Sequence, residues 1–125
     1  MRMGVDLRDK AILVTGGTRG LGAEIAREAA RRGAARLVLV GRSEAHGAAM
    51  REELGARVQT HVIAADLADA SAAEGIVPRA KAAAGPLDGL VNCAGLTDRA
   101  GLVDGTAEDW DRLFAVNARA PFLLM

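Results

Sequence analysis

A glycine-rich stretch between a short apolar run and an amphipathic segment constrains this chain more than any other feature. The stretch reads Thr-Gly-Gly-Thr-Arg-Gly-Leu-Gly and covers residues 15–22. Residues 11–14 before it are apolar and favour a strand, and residues 23–32 after it are good helix formers that end at Gly33. The sequence therefore predicts a buried strand that leads through the glycines directly into a helix.

The start of a helix placed in this way is suited to bind an anion. Its first N–H groups have no partner within the helix, and its dipole favours negative charge. Glycines allow the tight turn, and they let a phosphate approach the backbone without meeting a Cβ atom. We therefore expect a pyrophosphate site here; the alternative is a glycine-rich turn without a ligand.

The spacing Thr-Gly-x-x-x-Gly-x-Gly resembles the nucleotide loop of the short-chain dehydrogenase/reductase family, in its classical branch. The extended branch would have a glycine at the position of Arg19. Further similarities are Asp66-Leu67, Val116-Asn117 and the Asn-Cys-Ala-Gly of residues 92–95, in which Cys93 replaces an Asn of the family. The resemblance implies an α/β Rossmann fold: a doubly wound parallel sheet with strand order 3-2-1-4 and a single NAD(P)-binding domain over residues 1–125.

The resemblance also implies which residues contact the cofactor. Asp66 would accept a hydrogen bond from the adenine amino group and Leu67 would line the adenine pocket, whereas the alternative is that Asp66 only caps a turn. Asn92, Ala94 and Gly95 would lie along the ribose, and the alternative for Asn92 is an ordinary turn residue. In the glycine loop the implied residues are Thr15, Gly16, Thr18, Arg19, Gly20, Leu21 and Gly22.

The end of the second predicted strand indicates the form of the cofactor. A dinucleotide fold contacts the adenosine ribose about twenty residues after the glycine loop, and a carboxylate there would repel a 2′-phosphate. This chain has Arg42 and Ser43 instead, and a guanidinium can pair with a phosphate through two parallel hydrogen bonds. With Arg19 able to reach the same group, we predict NADP(H) over NAD(H). The alternative is that Arg42 is only solvated at a strand end.

Asn117 matches the helix asparagine that supports the proton relay of the family. Pro121 has no N–H, so the Asn117 carbonyl loses the partner that a regular helix would give it. We expect a helix irregularity here and a water on that carbonyl; the alternative is an asparagine tolerated for packing. Trp110, Leu113 and Phe114 on the same predicted helix are interpreted as packing residues. Thr106 has the spacing of a capping box.

The catalytic groups that the resemblance implies, a Ser and a Tyr-x-x-x-Lys, are not found at their expected places. The sequence has no tyrosine, and its serines and lysines lie elsewhere. We expect those groups beyond residue 125, and expect the chain alone to be poorly stable or paired across the edge of its fourth strand.

Gly75 and Pro78 predict a distorted or shifted helix over residues 70–84.

Composition narrows the class of protein further. Sixteen acidic and sixteen basic residues balance, so no nucleic-acid or membrane surface is indicated. The single Cys93 cannot form an internal disulfide, and no apolar run would span a bilayer. His46 has no neighbours at metal spacing and is interpreted as a surface residue, so no metal site is expected. We expect a cytoplasmic protein that is homo-oligomeric at full length.

Two classes of function fit these observations. The first is an oxidoreductase that transfers hydride between NADP(H) and a small carbonyl or alcohol substrate, with this chain as the cofactor-binding half. The second is a non-catalytic NADP-binding or scaffold module. A methyltransferase-like fold is less favoured, because it would want an acid where Arg42 and Ser43 stand.

Overall fold

The computed structural model describes residues 4–97 and 101–125 of the chain. Strands and helices alternate along most of its length. The strands are β1 (Ala11–Thr15), β2 (Arg36–Gly41), β3 (Gln59–Ala64) and β4 (Gly89–Asn92). The helices are α1 (Gly20–Arg31), α2 (Glu44–Gly55), α3 (Ala70–Ala84), α4 (Ala107–Phe114) and α5 (Ala120–Leu124), and a π-helical turn (Ala115–Arg119) joins the last two.

The four strands form one parallel sheet in the order β3-β2-β1-β4. This confirms the strand order expected from the sequence. In the register, Thr15 at the end of β1 lies between Val40 of β2 and Asn92 of β4. The carboxyl ends of β1, β2 and β4 therefore meet at one edge of the sheet, where the order of strands reverses.

Both faces of the sheet are covered, which explains why β1 and β2 are continuous apolar runs. Ile12 and Val14 pack on one face beneath α1 and α2, together with alanines of α1. Leu13 points to the other face and packs with α3 and α5. Small side chains let the helices lie close on the sheet. In α1 the buried small residues are Ala23, Ala26 and Ala29.

The expected shift of α3 is not observed. The helix runs without a break over Ala70–Ala84, although Pro78 lies inside it. Ile76 and Ala80 are fully buried against the sheet, and packing of this kind outweighs a poor local propensity. Asp69 caps the helix start by accepting from the N–H groups of Ser71 and Ala72.

The C-terminal helices confirm two predictions and correct a third. Thr106 caps α4 in a capping box with Asp109, and the irregularity expected at Asn117 is present as the π-helical turn. The interpretation of Trp110 and Phe114 as packing residues is wrong. Their rings stack on each other with centroids 4.5 Å apart, but the residues are 63% and 52% exposed.

No helix within the described ranges is both long enough and apolar enough to span a bilayer.

Candidate functional site

A cleft of about 580 Å³ opens at the carboxyl edge of the sheet. Each strand contributes the loop that follows it, and α4 with the π-helical turn closes one side. Ligands of open α/β sheets bind at this position. The lining residues expected from the sequence are Gly16, Thr18, Arg19, Gly20, Leu21, Gly22, Arg42, Ser43, Asp66, Leu67, Ala94 and Gly95.

The glycine loop packs backbone against backbone. Gly16 has φ +62°, and a Cβ atom built on it would lie 2.9 Å from the backbone N and Cα of Ala94. A Cβ atom on Gly22 would overlap the carbonyl of Gly16. The start of α1, the loop and the end of β4 can therefore approach one another only because these positions lack side chains.

The start of α1 differs from the starts of the three other long helices. Ser43, Asp69 and Thr106 each cap a helix with their side-chain oxygens. Arg19 at the α1 N-cap makes no such bond, and the first turn of α1 has no acidic residue. Within residues 4–97 and 101–125, therefore, no acidic side chain caps the N–H groups or the positive dipole end of α1.

Thr15 lies beneath the cleft and not in its wall. The residue is 2% exposed, and its Oγ1 accepts hydrogen bonds from the N–H groups of Cys93 and Ala94, both at 3.1 Å. This hydroxyl joins the carboxyl ends of β1 and β4. Through it, Thr15 fixes the segment of residues 93–95 that lines the cleft.

Basic side chains gather where β2 ends. Arg19 and Arg42 are exposed and line the cleft, and neither takes part in an ion pair among the described residues. Ser43 Oγ accepts from the N–H of His46 at 3.1 Å, which brings His46 to the same wall. This end of the cleft is therefore positive and suited to a phosphate.

Among the described residues, Asp66 supplies the one carboxylate of the cleft lining. Its Oδ1 accepts from the Ala68 N–H at 3.0 Å, and its Oδ2 accepts from Arg112 Nη1 at 3.3 Å. The Ala68 N–H bond, followed by the nearby charges of Arg112 and Arg42, lowers the pKa of Asp66. The side chain thus closes its own turn, as the capping alternative expects, while still lining the cleft beside the buried Leu67.

Asn117 lies just outside the cleft but holds one of its walls. Its Oδ1 accepts from the Leu96 N–H, and its Nδ2 donates to the Leu96 carbonyl, both at 2.8 Å. The surrounding π-helical turn is closed by a bond from the Ala120 N–H to the Ala115 carbonyl, five residues earlier. Asn92, the third predicted residue that does not line the cleft, is exposed at the end of β4.

Sequence reasoning did not assign His46, Cys93, Leu96 or Arg112 to this site, although all of them line the cleft. His46 stands three residues after the helix cap Ser43, and that spacing could have placed it beside Arg42. Arg112 lies 46 residues from its partner Asp66, so no local pattern relates the two. No group of three or more possible metal ligands lies within residues 4–97 and 101–125.

Comparison with known proteins adds to this geometry. A family model described as short chain dehydrogenase matches residues 10–125. Among curated proteins, the chain is 41% identical over 122 residues to the short-chain dehydrogenase/reductase FrzI of a Cladobotryum species. The match covers 95% of this chain and 46% of FrzI, so the chain spans about half the length of such relatives.

Solved structures agree in fold. A short chain dehydrogenase from Burkholderia cenocepacia, in complex with NADP, matches with a TM-score of 0.90 and 37% identity, over 96% of this chain and 49% of the other. A blue fluorescent protein from a metagenomic library, in complex with NADPH, matches with a TM-score of 0.89 and 35% identity, over 96% and 50%.

Proposed function

We propose, from the premise that this chain belongs to the short-chain dehydrogenase family, that its cleft binds NADP(H) as the cofactor-binding half of an oxidoreductase. The proposed reaction transfers hydride between NADP(H) and a small carbonyl or alcohol substrate. Residues 1–125 would form one NAD(P)-binding domain. The observation that carries the proposal is the uncapped start of α1, which faces a cradle of glycines.

The chain's own residues fit a dinucleotide. The diphosphate would accept from N–H groups at the start of α1, where Gly16 and Gly22 leave room for it. Adenine would donate to Asp66 and contact Leu67, and the cofactor's ribose would lie along Asn92, Ala94 and Gly95. A bound nicotinamide would supply the hydride-transfer chemistry.

Arg42 and Arg19 support a preference for NADP(H). Both are exposed in the cleft and have no ion-pair partner among the described residues, so they are available to a 2′-phosphate. The similar Burkholderia and metagenomic proteins bind NADP and NADPH, which supports the same preference.

Asn117 would serve proton transfer through its backbone. Its side chain accepts one hydrogen bond from Leu96 and donates one to it, whereas Pro121 has no N–H to donate to the Asn117 carbonyl. That carbonyl could hold a water of a proton relay toward the catalytic lysine that the family implies. The side chain meanwhile fixes the segment after Gly95 in the cleft wall.

The cofactor preference is tested by titrating the chain and its Arg42→Ala variant with NADPH and NADH. Loss of charge-assisted hydrogen bonds should weaken NADPH binding by about 10- to 100-fold and change NADH binding little. Arg51→Ala, on α2 but outside the cleft lining, is the control. NADH binding tighter than NADPH, and unchanged in Arg42→Ala, would contradict the preference.

Hydride transfer needs its own test. NADPH consumption is followed with a panel of ketones and aldehydes in a form of the protein that also carries a Tyr-x-x-x-Lys segment. Turnover that depends on that tyrosine supports the oxidoreductase. Tight NADPH binding with no turnover on any of these substrates favours the non-catalytic binding module.

A further inference from the structure

Two arginines of the C-terminal helices reach the same turn after β3. Arg112 of α4 pairs with Asp66, at 3.3 Å between Nη1 and Oδ2. Arg119 of the π-helical turn donates from Nη2 to the Ala68 carbonyl at 2.6 Å. The helix is therefore tied to this turn at two points, but only Arg112 contacts a side chain of the cleft.

The contact with Arg112 changes what the Asp66 carboxylate can do. The Ala68 N–H fixes one oxygen, and Arg112 fixes the other, so the plane of the carboxylate is defined from two sides. An ionised carboxylate has about four acceptor positions. Two of them remain for a ligand, and a donor in the cleft can bind Asp66 without displacing Arg112.

We infer that Arg112 is a positioning residue of the adenine pocket, holding Asp66 so that its carboxylate accepts from the exocyclic amino group of the base. This inference rests on the proposed function. Because Arg112 is committed to Asp66, it acts on the adenine and not on the 2′-phosphate. Its effect is the same for NADPH and NADH, unlike that of Arg42.

The experiment compares Arg112→Gln with the unaltered chain in titrations with NADPH, NADH and nicotinamide hypoxanthine dinucleotide phosphate. Hypoxanthine carries a carbonyl oxygen where adenine has the amino group, so it lacks the exocyclic donor that the inference assigns to Asp66. Arg112→Gln should weaken NADPH and NADH equally, by about fivefold to tenfold, and leave the hypoxanthine form nearly unchanged. The preference for adenine over hypoxanthine should fall by the same factor.

Three further variants separate positioning from a structural effect. Asp66→Asn should lower the base preference as Arg112→Gln does, and the double variant should lose no more than either alone. Arg112→Lys should restore part of the preference. Arg119→Gln removes the other tie to the turn and should leave the preference intact. If Arg112→Gln fails to fold, Arg112→Lys and Asp66→Asn carry the same comparison.

Other results overturn the inference. Equal weakening of the adenine and hypoxanthine forms makes Arg112 merely structural, and selective loss of NADPH over NADH makes it a phosphate ligand. Tighter binding in Arg112→Gln means that Arg112 competes with adenine for Asp66. If the unaltered chain binds none of the three dinucleotides, the proposed function fails as well, whereas normal binding with no response to Arg112→Gln removes only this inference.

Discussion

On the β1 side of the cleft, backbone packs directly against backbone, whereas on the α4 side long side chains span the gap between elements. Gly16 and Gly22 allow contacts that any Cβ atom would prevent, and Thr15 joins β1 to β4 from a buried position. Across the cleft, Arg112 and Asn117 reach Asp66 and Leu96 from exposed positions.

This difference predicts how each side responds to change. Close-packed backbone has no room to adjust, so substitution there should disturb the fold and the cleft together. Hydrogen bonds made by exposed side chains each contribute less to stability, because water replaces a lost partner. Substitutions on the α4 side should therefore lower the stability of the chain only slightly. They should still shift the position of the cleft wall locally.

The largest effect is expected for Gly22→Ala. Its Cβ would overlap the Gly16 carbonyl, and moving the loop to relieve this should cost about 3 kcal/mol of unfolding free energy and abolish NADPH binding. Urea unfolding and an NADPH titration measure both. Gly75→Ala is the matched control: it lies in α3 with open space around its Cβ, and should stabilise by about 0.5–1 kcal/mol. A Gly22→Ala chain as stable as the parent would contradict the expectation that the close-packed backbone of the β1 side has no room to adjust.

Thr15→Val should rank next. The substitution keeps the shape but leaves the N–H groups of Cys93 and Ala94 without their buried acceptor, which should cost about 2 kcal/mol. Thr15→Ser keeps the hydroxyl and should lose less. Denaturant unfolding of both variants gives the answer, and equal stability of Thr15→Val and the parent would mean that the hydroxyl does not join the strands.

Asn117→Ala should have a smaller and more local effect. Loss of the two bonds to Leu96 should cost about 1 kcal/mol, because this side chain is exposed. Hydrogen exchange at the Leu96 amide should accelerate, while exchange in β1 stays slow. Faster exchange throughout β1 would show that the two sides of the cleft are not independent.

The smallest effect concerns pH. Asp66 has a lowered pKa in the folded chain, so its contribution is fully present above the ordinary aspartate pKa of about 4 and is lost as pH falls through the folded value. Exposure of both partners keeps the contribution below about 1 kcal/mol. Unfolding measured against pH should show less acid destabilisation in Asp66→Asn than in the parent. Identical profiles would mean that the ionised Asp66, with its bonds from the Ala68 N–H and Arg112, does not stabilise the folded chain.

Glu28, Glu53 and Asp109 also have lowered pKa values, because of their hydrogen bonds to Arg31, Arg27 and Thr106 respectively. These three acidic residues are present in both the parent chain and the Asp66→Asn variant. The difference between the two profiles therefore reports on Asp66 alone.

Much of the β1 side could be predicted from the sequence because its determinants are local. The glycine spacing, the apolar run of β1 and the small residues of α1 lie within about twenty consecutive positions. The strand order followed from the resemblance that these positions carry. Pro121 likewise indicated the irregular helix at Asn117 from four residues away, and the π-helical turn confirms it.

The α4 side could not be predicted in the same way. Arg112 meets Asp66, and Asn117 meets Leu96, across 46 and 21 residues. Such pairs depend on how α4 lies over the turns, which no spacing encodes. Thr15 shows a different limit: the resemblance implies that it contacts the cofactor, and only the buried position of its hydroxyl reveals that it supports the cleft from below. Pro78 shows that packing can maintain a helix against local propensity.

The proposal that the start of α1 binds the diphosphate is tested most directly by NMR. NADPH is added to the isotopically labelled chain, and the backbone amide resonances of Gly20, Leu21 and Gly22 are followed. If the start of α1 binds the diphosphate, these amides should shift progressively and to saturation, and the amides at the capped start of α4 should stay in place. Saturation with NADPH that leaves the three α1 amides unmoved would contradict the account.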